Sequence, residues 1–270
     1  MGTRPLLAAS EHWSETGRMP VLFVGHGNPM NAISENEITA GWRRMGSQIK
    51  PKAILCISAH WETRGSMVTM TPKPRTIHDF GGFPRALYEV EYPAPGAPEL
   101  ASSVIEQVKT RSVQEDHDWG LDHGTWSVLV KMFPEADLPA FQLSLDYGMD
   151  LKGHYELAGE LSFLRRKGVL IIGSGNIVHN LRMARWDSDE PYDWAVEFDE
   201  QVKKYILDGD HMALVRGEGI SSEAGLAIPT REHYLPLLYS LAQQEEDEQV
   251  SFFNEQVDMG SVSMRSLLIS

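Results

Sequence analysis

The sequence predicts a single α/β domain with a largely parallel central sheet. Short apolar runs bounded by Gly, Pro or Ser alternate along the chain with longer amphipathic stretches. This alternation is typical of strands and helices that wind into one sheet flanked by helices. A length of 270 residues suits one large α/β domain, and no internal repeat or linker-like segment divides it.

Five apolar runs are predicted to be strands. They cover residues 21–24, 53–58, 140–145, 169–172 and 250–253. Amphipathic stretches predict helices over residues 38–45, 98–111, 123–132, 154–166 and 192–207. The Pro- and Gly-rich segment 71–96 predicts a long ordered loop, and loops of this length in compact domains are often binding loops or lids.

Composition excludes several classes of partner. The net charge of −14 argues against nucleic acid and anionic membranes, because both require clustered Lys and Arg. The single cysteine, Cys56, lies inside an apolar run and is predicted to be a buried core thiol. No stretch resembles a signal peptide or a membrane span, so we expect a cytoplasmic protein.

Three of the ten histidines follow predicted strands closely. His26, His60 and His179 each lie within a few residues of a strand's C-terminal end. Ligands of open α/β sheets bind outside these ends, where side chains from separate strands converge. Each histidine alone is more often a packed or capping residue, but their shared position predicts a metal site.

The residues leave the chemistry of this site open. The short zinc spacings His-Glu-x-x-His and Cys-x-x-Cys are absent, so a metal must be held by distant segments. Two histidines with a third ligand suit a non-haem Fe²⁺ oxygenase, whereas three histidines with a water suit a hydrolytic Zn²⁺ site. No dinucleotide site is expected at Gly173 and Gly175, because Val178 stands where the fingerprint requires a third glycine.

The other histidines fall into two groups. His123, between two tryptophans, is either a packed corner or a wall of the active site, and His78 in the long loop is a candidate to line a substrate pocket. His233 precedes a late helix and has the carboxylate of Glu232 beside it. The remaining four have no partner spacing and are predicted at the surface: His12, His117, His154 and His211.

Six ordered motifs contain the candidate histidines. They are GHGNPM at 25–30, SAHW at 58–61, HDFGGFP at 78–84, DHGTW at 122–126, GNIVHN at 175–180 and EHYLP at 232–236. Together they resemble the 4,5-DOPA extradiol dioxygenase family. That family belongs to the class III extradiol ring-cleavage superfamily, which is related to the protocatechuate 4,5-dioxygenase catalytic subunit.

The resemblance implies a mixed central sheet in a catalytic domain over residues 20–270, after an N-terminal extension over residues 1–19. It also implies one divalent metal, with Fe²⁺ expected for activity and Zn²⁺ plausible as the bound ion. The implied ligands are His26, His60 and His233. Glu232 is the reserve ligand, because the wider superfamily often supplies a glutamate.

Two further histidines have implied roles. His179 resembles the acid–base residue, which joins the metal ligands in zinc-loaded relatives, and its ordinary pKa of about 6.5 would let it accept a catechol proton. His123 resembles a residue that contacts dioxygen or substrate beside the metal. Aromatic and histidine side chains near the motifs are predicted to contact the substrate: His78, Trp61, Phe83 and Tyr234.

The implied reaction is extradiol cleavage of a catechol such as L-DOPA by dioxygen. Opening of the 4,5-bond would give a seco-DOPA semialdehyde. Two rival functions are a Zn²⁺-dependent hydrolase and a catalytically silent metal-binding relative. The oligomeric state is left open.

Overall fold

The computed structural model describes residues 13–188, 190–217 and 222–270. The strands in these ranges are β1 Val21–Gly25, β2 Ala53–Ser58, β3 Glu62–Thr63, β4 Ser66–Thr69, β5 Val113–Asp116, β6 Ala140–Gln142, β7 Leu145–Asp146, β8 Val169–Gly175, β9 Val250–Phe253, β10 Val257–Asp258, β11 Val262–Ser263 and β12 Ser266–Ile269. The α-helices are α1 Glu37–Gln48, α2 Arg85–Tyr88, α3 Pro98–Gln107, α4 His123–Met132, α5 Leu151–Gly159, α6 Phe163–Arg166, α7 Asp193–Leu207, α8 His211–Arg216, α9 Ala224–Ala227 and α10 Leu235–Leu241.

The centre of the domain is a six-stranded sheet in the order β6-β2-β8-β1-β12-β9. The first four of these strands are parallel, with Ala53 opposite Val169 and Val21 opposite Ile171. β12 then pairs antiparallel with β1, and β9 pairs antiparallel with β12. The prediction of one α/β domain with a mixed, largely parallel sheet is therefore confirmed.

Alternating residues of the central strands fill two cores, because successive side chains point to opposite faces of a sheet. On one face Phe23 and Leu55 belong to a core that also includes residues of α3, α5, α7 and α10. On the other face Leu22 and Cys56 pack with residues of α1 and α4. Cys56 is buried as predicted, and burial raises the pKa of its thiol.

Three predicted elements are divided or shortened in the structure. The predicted strand 140–145 divides into β6 and β7, because the N–H of Ser144 bonds to the carbonyl of Met67 and the chain then pairs with β3. The predicted helix 154–166 is two helices, separated by turns after Gly159. The predicted helix 98–111 ends at residue 107, because the backbone of Val108 is extended.

Strand β8 extends three residues beyond the prediction because glycines let α10 pack against it. A Cβ at Gly173 would overlap the carbonyl oxygen of Pro236, and one at Gly175 would overlap that of His233. The N–H of Asn176 also donates to the carbonyl of His233 at 2.8 Å. The end of β8 thus fixes the backbone of His233.

Gly173→Ala is expected to destabilise the protein by about 1–3 kcal/mol, the usual cost of overpacking a close contact. Chemical denaturation of the variant and the wild type measures this difference. Gly17→Ala is the control, because a Cβ there would meet no atom within 4 Å. Equal stability of the two variants would contradict the packing argument.

The four histidines predicted at the surface differ in burial. His117 is exposed and His211 is half-buried, while His12 lies outside the described residues. The prediction for His154 was wrong. Its ring is fully buried between α5 and α10, where the two nitrogens bond to the hydroxyl of Tyr239 and the carbonyl of Asp146.

The described part of the predicted N-terminal extension lies against the domain. The N–H of Met19 donates to the carbonyl of Arg165, and the indole of Trp13 donates to Glu99. Among the described residues, none of the helices has the length and apolar character needed to cross a bilayer.

Candidate metal centre

Five histidines meet at the C-terminal edge of the parallel strands. One follows β1 directly, one lies two residues after β2, a third follows β8, one begins α4, and one lies two residues before α10. They are His26, His60, His179, His123 and His233. The expected convergence at this edge of the sheet is therefore present in the structure.

Three of these rings turn nitrogen atoms toward one another. The Nε2 atoms of His26 and His60 are 3.1 Å apart. One ring nitrogen from each of His26, His60 and His233 lies within 4.8 Å of the others. Imidazole nitrogens from separate segments at this spacing can share one transition-metal ion.

Hydrogen bonds outside the cluster determine which nitrogen of His26 carries the proton. Ser174 Oγ donates to the carbonyl of Gly124 at 2.5 Å and lies 3.0 Å from Nδ1 of His26. Because the hydroxyl proton of Ser174 is already used, Nδ1 of His26 must donate. Its Nε2 therefore keeps a free lone pair that faces His60.

His233 has the same arrangement with a carboxylate as the acceptor. Its Nδ1 donates to Glu232 at 3.0 Å, which leaves Nε2 as the acceptor nitrogen. This Nε2 atom is buried and has no hydrogen-bond partner among the described residues. A buried polar atom without a partner is costly, and a bound metal ion would satisfy it. The residues present therefore fit a metal ion.

Electrostatics keep the ring nitrogens available as ligands. Burial, followed by the nearby histidines, holds the pKa of His26 and His60 well below the ordinary value. Burial also lowers the pKa of His233 despite the adjacent Glu232. Neutral imidazole is the form that binds metals, so the cluster is prepared to accept a cation.

Glu232, the reserve ligand, is engaged by its neighbours. Its Oε1 accepts hydrogen bonds from Nδ1 of His233 and from the hydroxyl of Thr230 at 2.8 Å. Burial acts to raise the pKa of Glu232, but the hydrogen bond from His233 lowers this pKa to about 2. An ionised Glu232 orients His233, as carboxylates behind metal-binding histidines commonly do.

Asp79 is a functional candidate that was absent from the predicted site residues. Its carboxylate accepts from both the backbone N–H and Nδ1 of His123, each at 2.8 Å, and lies 3.4 Å from Nδ1 of His60. Burial acts to raise the pKa of Asp79, but the hydrogen bond from His123 outweighs burial, and the pKa is lowered. The position of Asp79 in the motif at 78–84 was the available signal.

A buried polar network supports the start of α4. Asp122 caps the helix through the N–H of Thr125 and also accepts bonds from Ser58 Oγ at 2.6 Å and Gln142 Nε2 at 2.7 Å. Ser58 in turn accepts from the backbone N–H of His60. This network joins α4 to β2 and β6, so it fixes His60 and His123 together.

His179 lies beside His233 and is half-buried. The two rings stack with centroids 3.5 Å apart and planes 11° from parallel. Nitrogen of His179 also lies within 4.8 Å of ligand atoms of Glu232 and His233. Burial and the neighbouring His233 lower the pKa of His179 to about 3, well below the expected ordinary value. The imidazole is therefore neutral at neutral pH.

The five histidines line a cavity of about 190 Å³. Pockets for drug-sized ligands commonly measure about 300–1,000 Å³, so this one suits a compact single-ring molecule. Large apolar side chains form much of its wall: Phe80, Phe83, Leu181, Trp186, Met259 and Val262. The cavity combines a polar histidine cluster with apolar walls.

Of the four residues predicted to contact substrate, only Phe83 is among the residues described as lining this cavity. Trp61 is buried and stacks on Trp119 with centroids 5.4 Å apart. Tyr234 points away from the cavity, and its hydroxyl donates to the carbonyl of Leu214. His78 lies within hydrogen-bond distance of the carbonyl of Val90, and its ring packs against Tyr88 and Trp126.

Comparison with known proteins identifies the family. Residues 20–260 match the family model described as "Catalytic LigB subunit of aromatic ring-opening dioxygenase". The chain belongs to this LigB family. The predicted enzyme class, an extradiol aromatic ring-opening dioxygenase, is therefore confirmed, and LigB-type enzymes use a non-haem metal.

Similar proteins cover nearly the whole chain. "4,5-DOPA dioxygenase extradiol" of Escherichia coli K12 is 46% identical over 93% of this chain and 95% of its own length. The protein of the same name from Beta vulgaris is 37% identical over 94% of this chain and 97% of its own length. A crystal structure of an uncharacterized protein from Escherichia coli K12 superposes with a TM-score of 0.82 at 40% identity, covering 94% of this chain and 100% of that one.

Proposed function

We propose that this LigB-family enzyme opens the ring of L-DOPA or a related catechol at the 4,5-bond, in the domain formed by residues 20–270. The proposed metal ligands are His26, His60 and His233. The observation that supports this assignment best is the buried, unpartnered Nε2 of His233 beside two other neutral imidazoles. Imidazole ligands suit iron and zinc, and we propose Fe²⁺ for activity with Zn²⁺ as an alternative bound ion.

When bound, the metal ion supplies Lewis acidity that lowers the pKa of a catechol hydroxyl and brings dioxygen to the ring. Phe80 and Phe83 in the cavity wall orient the ring with its hydroxyls toward the histidines. They also exclude water, which strengthens every electrostatic interaction inside the site. Phe80 lies edge-on to His123 with ring centroids 5.5 Å apart, so the aromatic wall begins at the polar cluster.

His179 is proposed as the acid–base residue. Its neutral imidazole can accept a proton from a catechol hydroxyl and return it to the opened product. Its half-buried position at the cavity wall gives it access to the substrate. The stacked ring of His233 limits its rotation, so its proton-accepting nitrogen is held in place.

His123 is proposed to stabilise negative charge that develops on oxygen. Because Nδ1 of His123 donates to Asp79, its Nε2 can donate only when the ring is protonated. The carboxylate of Asp79 accepts the hydrogen bond from Nδ1 and holds the ring in place. A fixed donor aimed at developing charge is a strong catalytic element in a site that excludes water.

Asp79→Asn is expected to lower kcat/KM by about 10–100-fold, because removing a carboxylate behind a site histidine typically costs this much. The amide keeps the shape of the side chain but replaces one of the two carboxylate oxygens that accept hydrogen bonds from His123 with an NH2 donor. Steady-state oxygen uptake measures the change, with Asp118→Asn as an exposed control. Unchanged kcat/KM would show that Asp79 does not orient the site.

Product analysis tests the proposed reaction. Fe²⁺-loaded enzyme with L-DOPA in air should give the semialdehyde of 4,5-cleavage, identified by mass spectrometry and NMR. A product opened at the 2,3-bond would contradict the proposed orientation of the ring. Hydrolysis of esters by the Zn²⁺-loaded protein, with no ring-opened product from any catechol, would favour a hydrolase instead.

A further inference from the structure

Two large apolar side chains at the mouth of the cavity are exposed to solvent. Trp186 has 64% of its surface exposed and Leu181 has 48%, whereas Trp42, Trp61 and Trp126 are buried. Both exposed side chains line the cavity that contains the five histidines. Exposed apolar groups beside a binding cavity mark a surface that a ligand covers. A substrate that reaches the mouth would bury them.

The backbone next to Trp186 is anchored to the domain. The N–H of Arg185 donates to the carbonyl of Met259 at 2.8 Å. The guanidinium of Arg185 lies 4.0 Å from the ring centroid of Tyr192 and donates to the carbonyl of Glu190. These contacts hold the residue directly before Trp186 and so place the backbone of Trp186 at the edge of the cavity.

Another part of the cavity wall consists of two phenylalanines from the long loop. The rings of Phe80 and Phe83 meet edge to face, with centroids 5.3 Å apart. A catechol ring whose hydroxyls face the histidines would lie along this wall. The substituent farthest from the hydroxyls would then point out of the cavity toward Trp186.

We propose that Trp186 is a specificity-determining residue that contacts the ring substituent of the catechol. The inference rests on the proposed function and adds a substrate preference to it. The enzyme favours catechols whose substituent begins with an apolar carbon chain, because the indole face packs against that carbon. Charged groups at the end of a longer substituent extend past the indole into water.

Two catechols that differ only in the substituent test this assignment. Trp186→Ala is expected to lower kcat/KM for 4-ethylcatechol about tenfold, the value of one good aromatic contact, and to leave unsubstituted catechol within about twofold. Trp186→Phe should retain most of the preference for 4-ethylcatechol over unsubstituted catechol. The matched control is Leu207→Ala, because Leu207 is 60% exposed on α7 and is not among the residues described at the cavity.

Binding measured without turnover separates this inference from the proposed function. Calorimetric titration of Zn²⁺-loaded protein with 4-ethylcatechol, without dioxygen, should give a Kd about tenfold higher for Trp186→Ala. The role of Trp186 would be overturned if Trp186→Ala lowered kcat/KM equally for both catechols. It would also be overturned if the substitution changed neither kcat/KM nor Kd for 4-ethylcatechol. If the wild type opens neither ring with either metal, the proposed function fails, and the titration still decides whether Trp186 contacts the substituent.

Discussion

His233→Ala is expected to abolish metal retention and to lower kcat/KM well beyond the roughly 10–100-fold typical of residues behind a ligand. The reason is the buried Nε2 of His233, which has no partner among the described residues and faces the other two proposed ligands. Metal content after reconstitution with Fe²⁺ and anaerobic desalting measures the first effect. Oxygen uptake measures the second.

The control for this substitution is His117→Ala, which removes an exposed histidine that pairs only with Glu115 among the described residues. Thermal unfolding of the metal-free proteins shows whether His233→Ala still folds. A folded His233→Ala protein with full metal content would remove His233 from the ligand set. Glu232 would then become the candidate third ligand.

His179→Gln is expected to lower kcat by about 10²–10⁴-fold, the usual contribution of a positioned acid–base residue. Metal content should remain at the wild-type level, because the three proposed ligands are intact. Glutamine preserves a polar side chain next to His233 but cannot take up the proton of a catechol hydroxyl. Rapid-mixing measurements of ring opening, together with metal analysis, test this result.

Two outcomes would contradict the proposed role of His179. Loss of bound metal would show that His179 is a metal ligand. A kcat within about twofold of the wild type would show that another group moves the proton, since a positioned acid–base residue contributes far more than this.

The sequence predicted the parts of the fold that depend on local pattern. The bounds of β2 and β9 match the prediction because each strand is a short run enriched in apolar residues and bounded by polar or turn residues. Helix α4 also has the predicted bounds, and Asp122 caps its first turn. Strand β12 was missed, because its place beside β1 depends on pairing across nearly the whole chain.

The histidine cluster was predictable for a physical reason. Parallel strands place their C-terminal ends at one edge, so residues that follow β1, β2 and β8 must lie near one another. Proximity in sequence to these histidines did not predict which side chains line the cavity. Trp61 and Tyr234 adjoin metal-site histidines, yet neighbouring residues point in different directions and both side chains enter the core.

The loops contribute site residues that the pattern of strands did not predict. Asp79 and Phe80 come from the long loop, and Trp186 comes from the segment after His179. Loop conformation depends on individual hydrogen bonds, such as the one from Arg185 to Met259, which leave no periodic signal in the sequence. The motif at 78–84 contains Asp79 and Phe80, but their contacts with the site, and those of Trp186, are defined only by the folded structure.

Oxygen consumption by metal-stripped protein, reconstituted separately with Fe²⁺ and Zn²⁺ and supplied with L-DOPA, tests the central claim most directly. We expect uptake of one dioxygen per ring opened with Fe²⁺ and no uptake with Zn²⁺. The absence of oxygen uptake with L-DOPA and simpler catechols, in protein that carries a full complement of Fe²⁺, would contradict catechol ring opening at this histidine cluster.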